Sequence, residues 1–214
     1  MNWKKYIAEA LGTFALVFFG TGAVIINEVS GGAIGHLGIA FAFGLIVMVM
    51  IYCFGPISGA HINPAVTLAF AYTDRFNRRD TVPYIVAQII GAILASAVLR
   101  LLFFDSSTMG ETLPAGTWQQ SFVLEIILTF FLMLVILFVS QNKEHTSFTA
   151  IAVGATVLLE ALVAGPICGA SMNPARSIAP ALVSGNLTYL WLYIVAPIIG
   201  ALLASITWKL LSTD

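Results

Sequence analysis

Long apolar runs dominate the chain, and six of them can cross roughly 30 Å of hydrocarbon at about 1.5 Å of helix rise per residue. They lie near Tyr6–Asn27, Gly38–Gly55, Val82–Phe104, Trp118–Ser140, Phe148–Gly165 and Leu187–Leu211. Two shorter apolar pieces, Pro64–Tyr72 and Pro174–Val183, have nine and ten residues. Each gives about 13–15 Å of helix, half a membrane. The pattern predicts an all-α membrane protein with six spans and two half-length helices.

Composition points the same way. Of 214 residues, 59% are hydrophobic and only 9% charged, whereas a soluble domain is about one quarter charged. So few charges cannot cover a water-facing surface, so lipid is the expected outer solvent. A net charge of −1 gives no ground for a nucleic-acid partner. Met1–Lys5 is short and the run after it is long enough to span, so neither a cleaved leader nor a separate soluble domain is expected. Cys53 and Cys168 lie in apolar surroundings outside any motif and read as free buried thiols. No nucleophile–base pair, clustered metal ligands or phosphate loop stands out, so neither an enzyme nor a cofactor is expected.

The basic residues set the orientation. With six spans, Lys4, Lys5, Arg75, Arg78, Arg79, Lys143 and Lys209 fall on one side, and only Arg100 and Arg176 do not. The positive-inside rule then makes both termini cytoplasmic, in a plasma (cytoplasmic) membrane.

The two halves, about 1–104 and 118–214 of a single domain over 1–214, repeat each other. Ala8-Glu9-x-x-Gly-Thr13 echoes Leu124-Glu125-x-x-Leu-Thr129, and Gly55-Pro56-Ile57-Ser58-Gly59-Ala60 returns as Gly165-Pro166-Ile167-Cys168-Gly169-Ala170. Tyr84-Ile85-Val86-Ala87 returns at Tyr193-Ile194-Val195-Ala196. Each half holds three spans, an odd number, so the second must enter the membrane upside down. Inverted repeats with interrupted helices at matching places mark a permeation site near the midplane.

Both short helices open on the same words, Gly59-Ala60-His61-Ile62-Asn63-Pro64-Ala65 and Gly169-Ala170-Ser171-Met172-Asn173-Pro174-Ala175. Asn before Pro is a helix start: Asn caps, and Pro takes the first helical position, where no N–H is needed. Irregular backbone at membrane depth survives only when buried in protein or lining an aqueous cavity. One such motif could simply cap a helix; two at equivalent places are specific. They favour a passive channel. An ion-coupled secondary transporter of the inverted-repeat kind stays open, as does a scaffold that has lost conduction.

These motifs, with the two Glu-x-x-x-Thr spans, resemble the aquaporin and aquaglyceroporin (major intrinsic protein) family across nearly the whole chain. Gly44-Leu45-Ile46-Val47-Met48-Val49-Met50-Ile51-Tyr52 and Ser58-Gly59-Ala60-His61 look most like the nodulin-like branch and its prokaryotic relatives. The resemblance implies two re-entrant half-helices meeting end to end, with Asn63 and Asn173 donating N–H groups into a pore. Carbonyls of Gly59, Ala60 and His61, and of Gly169, Ala170 and Ser171, would form an acceptor ladder. Glu9 and Glu125 would brace the re-entrant loops; proton-coupling groups of a pump are the rival reading. A homotetramer in lipid, one pore per protomer, is implied as well.

Arg176 stands three residues after Asn173, where the first half has Val66. Always charged and rich in donors, it repels cations and binds hydroxyl oxygens; pairing with a loop carboxylate is the structural alternative. By resemblance, Phe43, Ala161 and Ala170 complete a selectivity filter. Water-strict relatives place His at the position of Ala161, so two alanines imply a wider aperture. That suits water plus glycerol or a neutral metalloid acid such as arsenious, boric or silicic acid; a water-selective channel is the alternative. The glycerol facilitators carry Asp where this chain has Ser177 and a basic residue where it has Ala181, and the nodulin-like branch usually has Trp in place of Phe43.

Among other residues, His61 reads equally as a brace or a gate, while His36 and His145 are expected to be solvated. Glu160 is expected to be a buried, partnered or protonated acid bracing the second re-entrant loop rather than a pore-lining charge. Trp118, Trp191 and Trp208 fit interfacial anchors. The pairs Gly91-Ala92 and Gly200-Ala201 predict close helix crossings.

Overall fold

The computed structural model describes residues 3–141 and 146–212, and every regular element among them is helical. α1 (Trp3–Val29), α2 (Gly35–Ser58), the short α3 (Pro64–Tyr72) and α4 (Thr81–Leu102) are followed by α5 (Trp118–Gln141), α6 (Thr149–Cys168), the short α7 (Pro174–Ser184) and α8 (Leu190–Leu211). The order long, long, short, long thus occurs twice. The six long helices have the length and hydropathy to cross a membrane. α3 and α7, with 9 and 11 residues, reach about halfway.

Helix ends follow local chemistry. α2 and α6 stop where Gly59 and Gly169 turn left-handed, at φ 86° and 82°, and donate back to the carbonyls of Gly55 and Gly165. Glycine carries no Cβ penalty there. α7 ends in the same way at Gly185.

Missing side chains let the helices cross tightly. A Cβ at Gly91 of α4 would sit 2.0 Å from the carbonyl oxygen of Ala10 in α1. One at Gly200 of α8 would sit 2.3 Å from that of Ile126 in α5. Gly44 and Gly154 do the same for α2 and α6, each Cβ falling 2.7 Å from the other's carbonyl oxygen. With no hydrophobic drive between helices in lipid, such backbone approach is what packing rests on.

Lys5 pairs with Asp80, and Lys209 Nζ donates to the Tyr72 carbonyl at 2.9 Å, so the first and last described helices share one end of the bundle with the α3–α4 connection. Arg75 donates to the carbonyls of Leu137 and Ser140 there, 2.9 and 3.0 Å away, capping the negative end of α5. Lys143 and His145 lie outside the described residues. At the opposite end Glu28 accepts from Ser106, Ser107 and Thr108 and shapes the α4–α5 connection, while Arg100 donates to the Ser106 carbonyl. Trp118 and Trp191 stack edge to face at that end, 5.6 Å apart.

Two expectations need correction. Cys168 is buried, but Cys53 is exposed. It belongs to the outward side of α2 with Leu45, Val49 and Tyr52, also exposed, and on a lipid-facing helix apolar neighbours do not imply the interior. His36 is half-buried rather than solvated. Its Nε2 lies 2.7 Å from the Leu162 carbonyl, which Pro166 four residues on leaves without an intrahelical donor.

Candidate functional site

The re-entrant loops are built alike. Asn63 and Asn173 are extended, at φ −158° and −151°, and each Oδ1 accepts from the backbone N–H two residues on, Ala65 or Ala175. Pro64 and Pro174 fill the first helical position. The residues before them alternate in handedness: Ala60 and Ile62 have φ of 47° and 43°, Ala170 and Met172 of 41° and 53°. A left-handed non-glycine residue costs about 1–3 kcal/mol, so the surroundings must hold it.

Two buried carboxylates do that. Glu9 accepts from the backbone N–H of His61 at 2.9 Å and of Ile62 at 2.7 Å, and from Ser58 Oγ and Gln88 Nε2. Glu125 accepts from the N–H groups of Ser171 and Met172, both at 2.8 Å. In a trans peptide the carbonyl points opposite its N–H. With these N–H groups drawn to the glutamates, the carbonyls of Ala60 and His61, and of Ala170 and Ser171, face the other way. On that side lies a cavity of about 100 Å³ lined by Gly59, Ala60, His61, Ala170 and Ser171, room for several waters. Gly169 is not among its lining residues; it packs against Thr112, 3.0 Å from where its Cβ would be.

The two asparagines exchange bonds across the midline. Asn63 Nδ2 donates to the Met172 carbonyl at 2.7 Å, and Asn173 Nδ2 to the Ile62 carbonyl at 2.8 Å. Each amide thus spends one N–H on the opposite loop, which leaves a single N–H per asparagine for the cavity that both line. Ala65 and Ala175 are fully buried beneath them.

Arg176, Phe43, Ala161 and Ala170 all line the cavity. The guanidinium lies 4.9 Å from the Phe43 ring centroid, a cation–π contact. Its Nη1 donates to the Gly110 carbonyl at 2.8 Å, so its anchor is a backbone oxygen and not a loop carboxylate. Away from Arg176, the lining continues through Val66, Val153 and Ile136 to Phe70, Ser140 and Thr149.

His61 lies in an aromatic box, its ring centroid 4.7 Å from Phe70, 4.8 Å from Phe76 and 5.2 Å from Tyr84. Its Nδ1 lies 3.1 Å from Thr67 Oγ1. Glu160 is buried and off the cavity, about 100° around α6 from Ala161. The expected bracing contact is missing: Oε2 has no hydrogen-bond partner among the described residues, because Glu125 already takes both loop N–H groups.

Sequence reasoning missed the outer supports. Thr67 bonds the Asn63 carbonyl and Gln88, and Ser177 bonds Ser171 and Thr112. The available signal was their placement, since both hydroxyls stand four residues after an asparagine of the repeated motif. Gly110 and Thr112 carried no such signal.

Among the described residues, six long helices around two half-helices, with a cavity where their capped starts meet, define a polytopic membrane channel. Comparison with known proteins gives the family. Residues 1–208 match the model of the major intrinsic protein family. The chain is 51% identical to Aquaporin NIP1-1 of Zea mays over 97% of its own length and 74% of that protein's. It is 47% identical to Nodulin-26 of Glycine max, over 93% and 74%. The fold superposes on the X-ray structure of the aquaglyceroporin from Plasmodium falciparum with a TM-score of 0.90, at 26% identity, covering 99% of this chain and 97% of that one. The chain belongs to the major intrinsic protein family, as an aquaporin-type integral membrane channel of the nodulin-like kind.

Proposed function

We propose that this channel passes water together with small neutral hydroxyl compounds, glycerol or a metalloid acid such as arsenious acid, and excludes ions and protons. The observation that carries the reading is the cavity wall at Arg176. Beside that fixed cation stand Phe43 and two alanines, Ala161 and Ala170. A solute with hydroxyls along one edge can bond Arg176 and the carbonyls of Ala170 and Ser171 while its carbon edge slides past Phe43. Similarity to a protein described as an aquaglyceroporin supports the same solute class.

Exclusion of ions follows from electrostatics. The starts of α3 and α7 each carry roughly half a positive charge, and both face the cavity centre. Arg176 adds a full one. A cation entering would lose its hydration shell, at an effective cost of several kcal/mol, against repulsion. A water held by the free N–H groups of Asn63 and Asn173 accepts from both sides and cannot relay a proton through that point. In this reading Asn63-Pro64-Ala65 and Asn173-Pro174-Ala175 form the pore centre of two inverted halves. Glu9 and Glu125 are loop braces. Both termini are cytoplasmic in the plasma membrane, and the protein assembles as a homotetramer.

Stopped-flow light scattering of proteoliposomes challenged with water, glycerol and arsenious acid tests the reading. Non-saturating flux of all three with a low activation energy is the expected result. Flux of water alone, or uptake that collapses with the proton or sodium gradient, would sink it.

A further inference from the structure

Gly20 lies buried in the middle of α1, directly behind Phe43. A Cβ at Gly20 would fall 2.3, 2.6 and 2.8 Å from Cε1, Cδ1 and Cζ of that ring, its three nearest atoms. The ring therefore occupies the space where a side chain of α1 would stand. A helix-interior glycine is less stable than alanine, and Gly20 is not among the residues with positive φ, so its backbone gives no reason for it. Room for the ring does.

Phe43 lines the cavity with its guanidinium contact to Arg176. Space taken by the ring from α1 is space left to the passage. The next residue of α1 supports the other wall. A Cβ at Gly110, whose φ is +68°, would meet Thr21 Cβ and the Thr21 carbonyl oxygen at 3.0 Å, so Gly110 rests directly on Thr21. Gly110 in turn holds Arg176 through its carbonyl. Two consecutive residues of α1 thus seat both the aromatic and the cationic wall.

The sequence repeat sharpens the point. The register that matches Glu9 with Glu125 matches Gly20 with Ile136, and the one that matches Gly44 with Gly154 matches Phe43 with Val153. Ile136 and Val153 both line the cavity. A bulky α5 residue with a smaller α6 residue there replaces glycine with phenylalanine here. Volume is exchanged between paired positions.

We infer that Gly20 sets the width of the passage at Arg176, as a positioning residue that acts through the Phe43 ring. This rests on the proposed function, in which Phe43 and Arg176 select solutes. Substituting Gly20 displaces the ring away from α1, toward the cavity that it lines.

The test compares wild type, Gly20→Ala, Phe43→Ala and the double variant in proteoliposomes, using water and glycerol fluxes normalised to reconstituted protein. Gly20→Ala should lower glycerol flux about tenfold more than water flux, equivalent to about 1.4 kcal/mol on the glycerol barrier. In the Phe43→Ala background the same change should have no effect, because the ring it pushes is gone. An unchanged glycerol-to-water ratio in Gly20→Ala, or an equal fall with and without the ring, overturns the inference. If Gly20→Ala alone does not fold, recovery of folding in the double variant supports the steric coupling, and failure of both refutes it. A wild type that passes only water defeats the solute reading by itself. The Gly20 comparison then reads on water flux, where a fall abolished by Phe43→Ala upholds it and any other result ends it.

Discussion

His36 Nε2 lies 2.7 Å from the carbonyl oxygen of Leu162, one residue beyond Ala161 in the cavity wall. Pro166 lacks the N–H that would satisfy this carbonyl within α6, and Gly165 leaves the space for the ring, its Cβ position being 3.0 Å from His36 Cε1. The histidine of α2 thus completes a hydrogen bond that the proline removed from α6. The two helices that meet at Gly44 and Gly154 are tied again at this end.

Replacing His36 by Ala should therefore leave a half-buried carbonyl without a donor, at up to about 1–3 kcal/mol. Thermal unfolding in detergent should show the loss, and Pro166→Ala in the same chain should offset part of it by restoring an N–H. If the double variant is no more stable than His36→Ala alone, the Leu162 carbonyl is not what His36 serves.

The two loop-holding glutamates should respond unequally to Gln. At Glu9, an amide group placed opposite Gln88 can be accommodated, because Gln88 Oε1 has no partner among the described residues and its amide can flip to accept. Glu125 faces two backbone N–H groups with no such neighbour, since Pro197 stands where the repeat would put the counterpart of Gln88. Either substitution sets an amide NH2 against one loop N–H, but only at Glu9 can a flipped Gln88 accept from that NH2, so Glu125→Gln leaves one more buried donor unpaired and should cost more stability than Glu9→Gln, by about 1–3 kcal/mol. Equal losses in melting experiments on the two variants would show that Gln88 provides no such relief.

Much of this was legible in the sequence because the determinants are local. Asn before Pro specifies a helix start from its own residues, and the paired apolar runs give span and half-span by length. The features that were not legible depend on groups far apart in the chain. Gly110 reaches Arg176 across 66 residues, and His36 reaches Leu162 across 126. Burial was misread where lipid replaces water. Cys53 has apolar neighbours on a surface whose solvent is itself apolar, so hydrophobicity cannot tell its inside from its outside. Glu160 shows the converse: its angle around α6 was readable from helical periodicity, but the lack of a partner for Oε2 among the described residues was not.

In the proposed solute reading, Ala161 is the most direct control of solute choice. It lines the cavity with Phe43, Ala170 and Arg176, and a His there adds a second polar wall and takes up width. Ala161→His should reduce glycerol flux about tenfold or more, equivalent to about 1.4 kcal/mol, while water flux falls far less. Equal losses of water and glycerol in stopped-flow measurements would mean that width at Ala161 does not govern the choice.

Glu160 is the acid whose role the geometry narrows most. It is 7% exposed, lines no part of the cavity, and leaves Oε2 without a partner among the described residues. An ionised carboxylate in that position would carry a large desolvation cost, with no hydrogen bond to Oε2 among the described residues to offset it. Gln has the same shape without the charge, so Glu160→Gln should leave stability within about 1 kcal/mol of the parent. Because neither side chain reaches the passage, the glycerol-to-water ratio and the exclusion of ions should be unchanged. Altered selectivity in a variant that melts like the parent would place the carboxyl's influence in the passage. In that case its field would have to act through Ala161 and Glu125, the cavity wall beside it and the carboxylate behind the second loop.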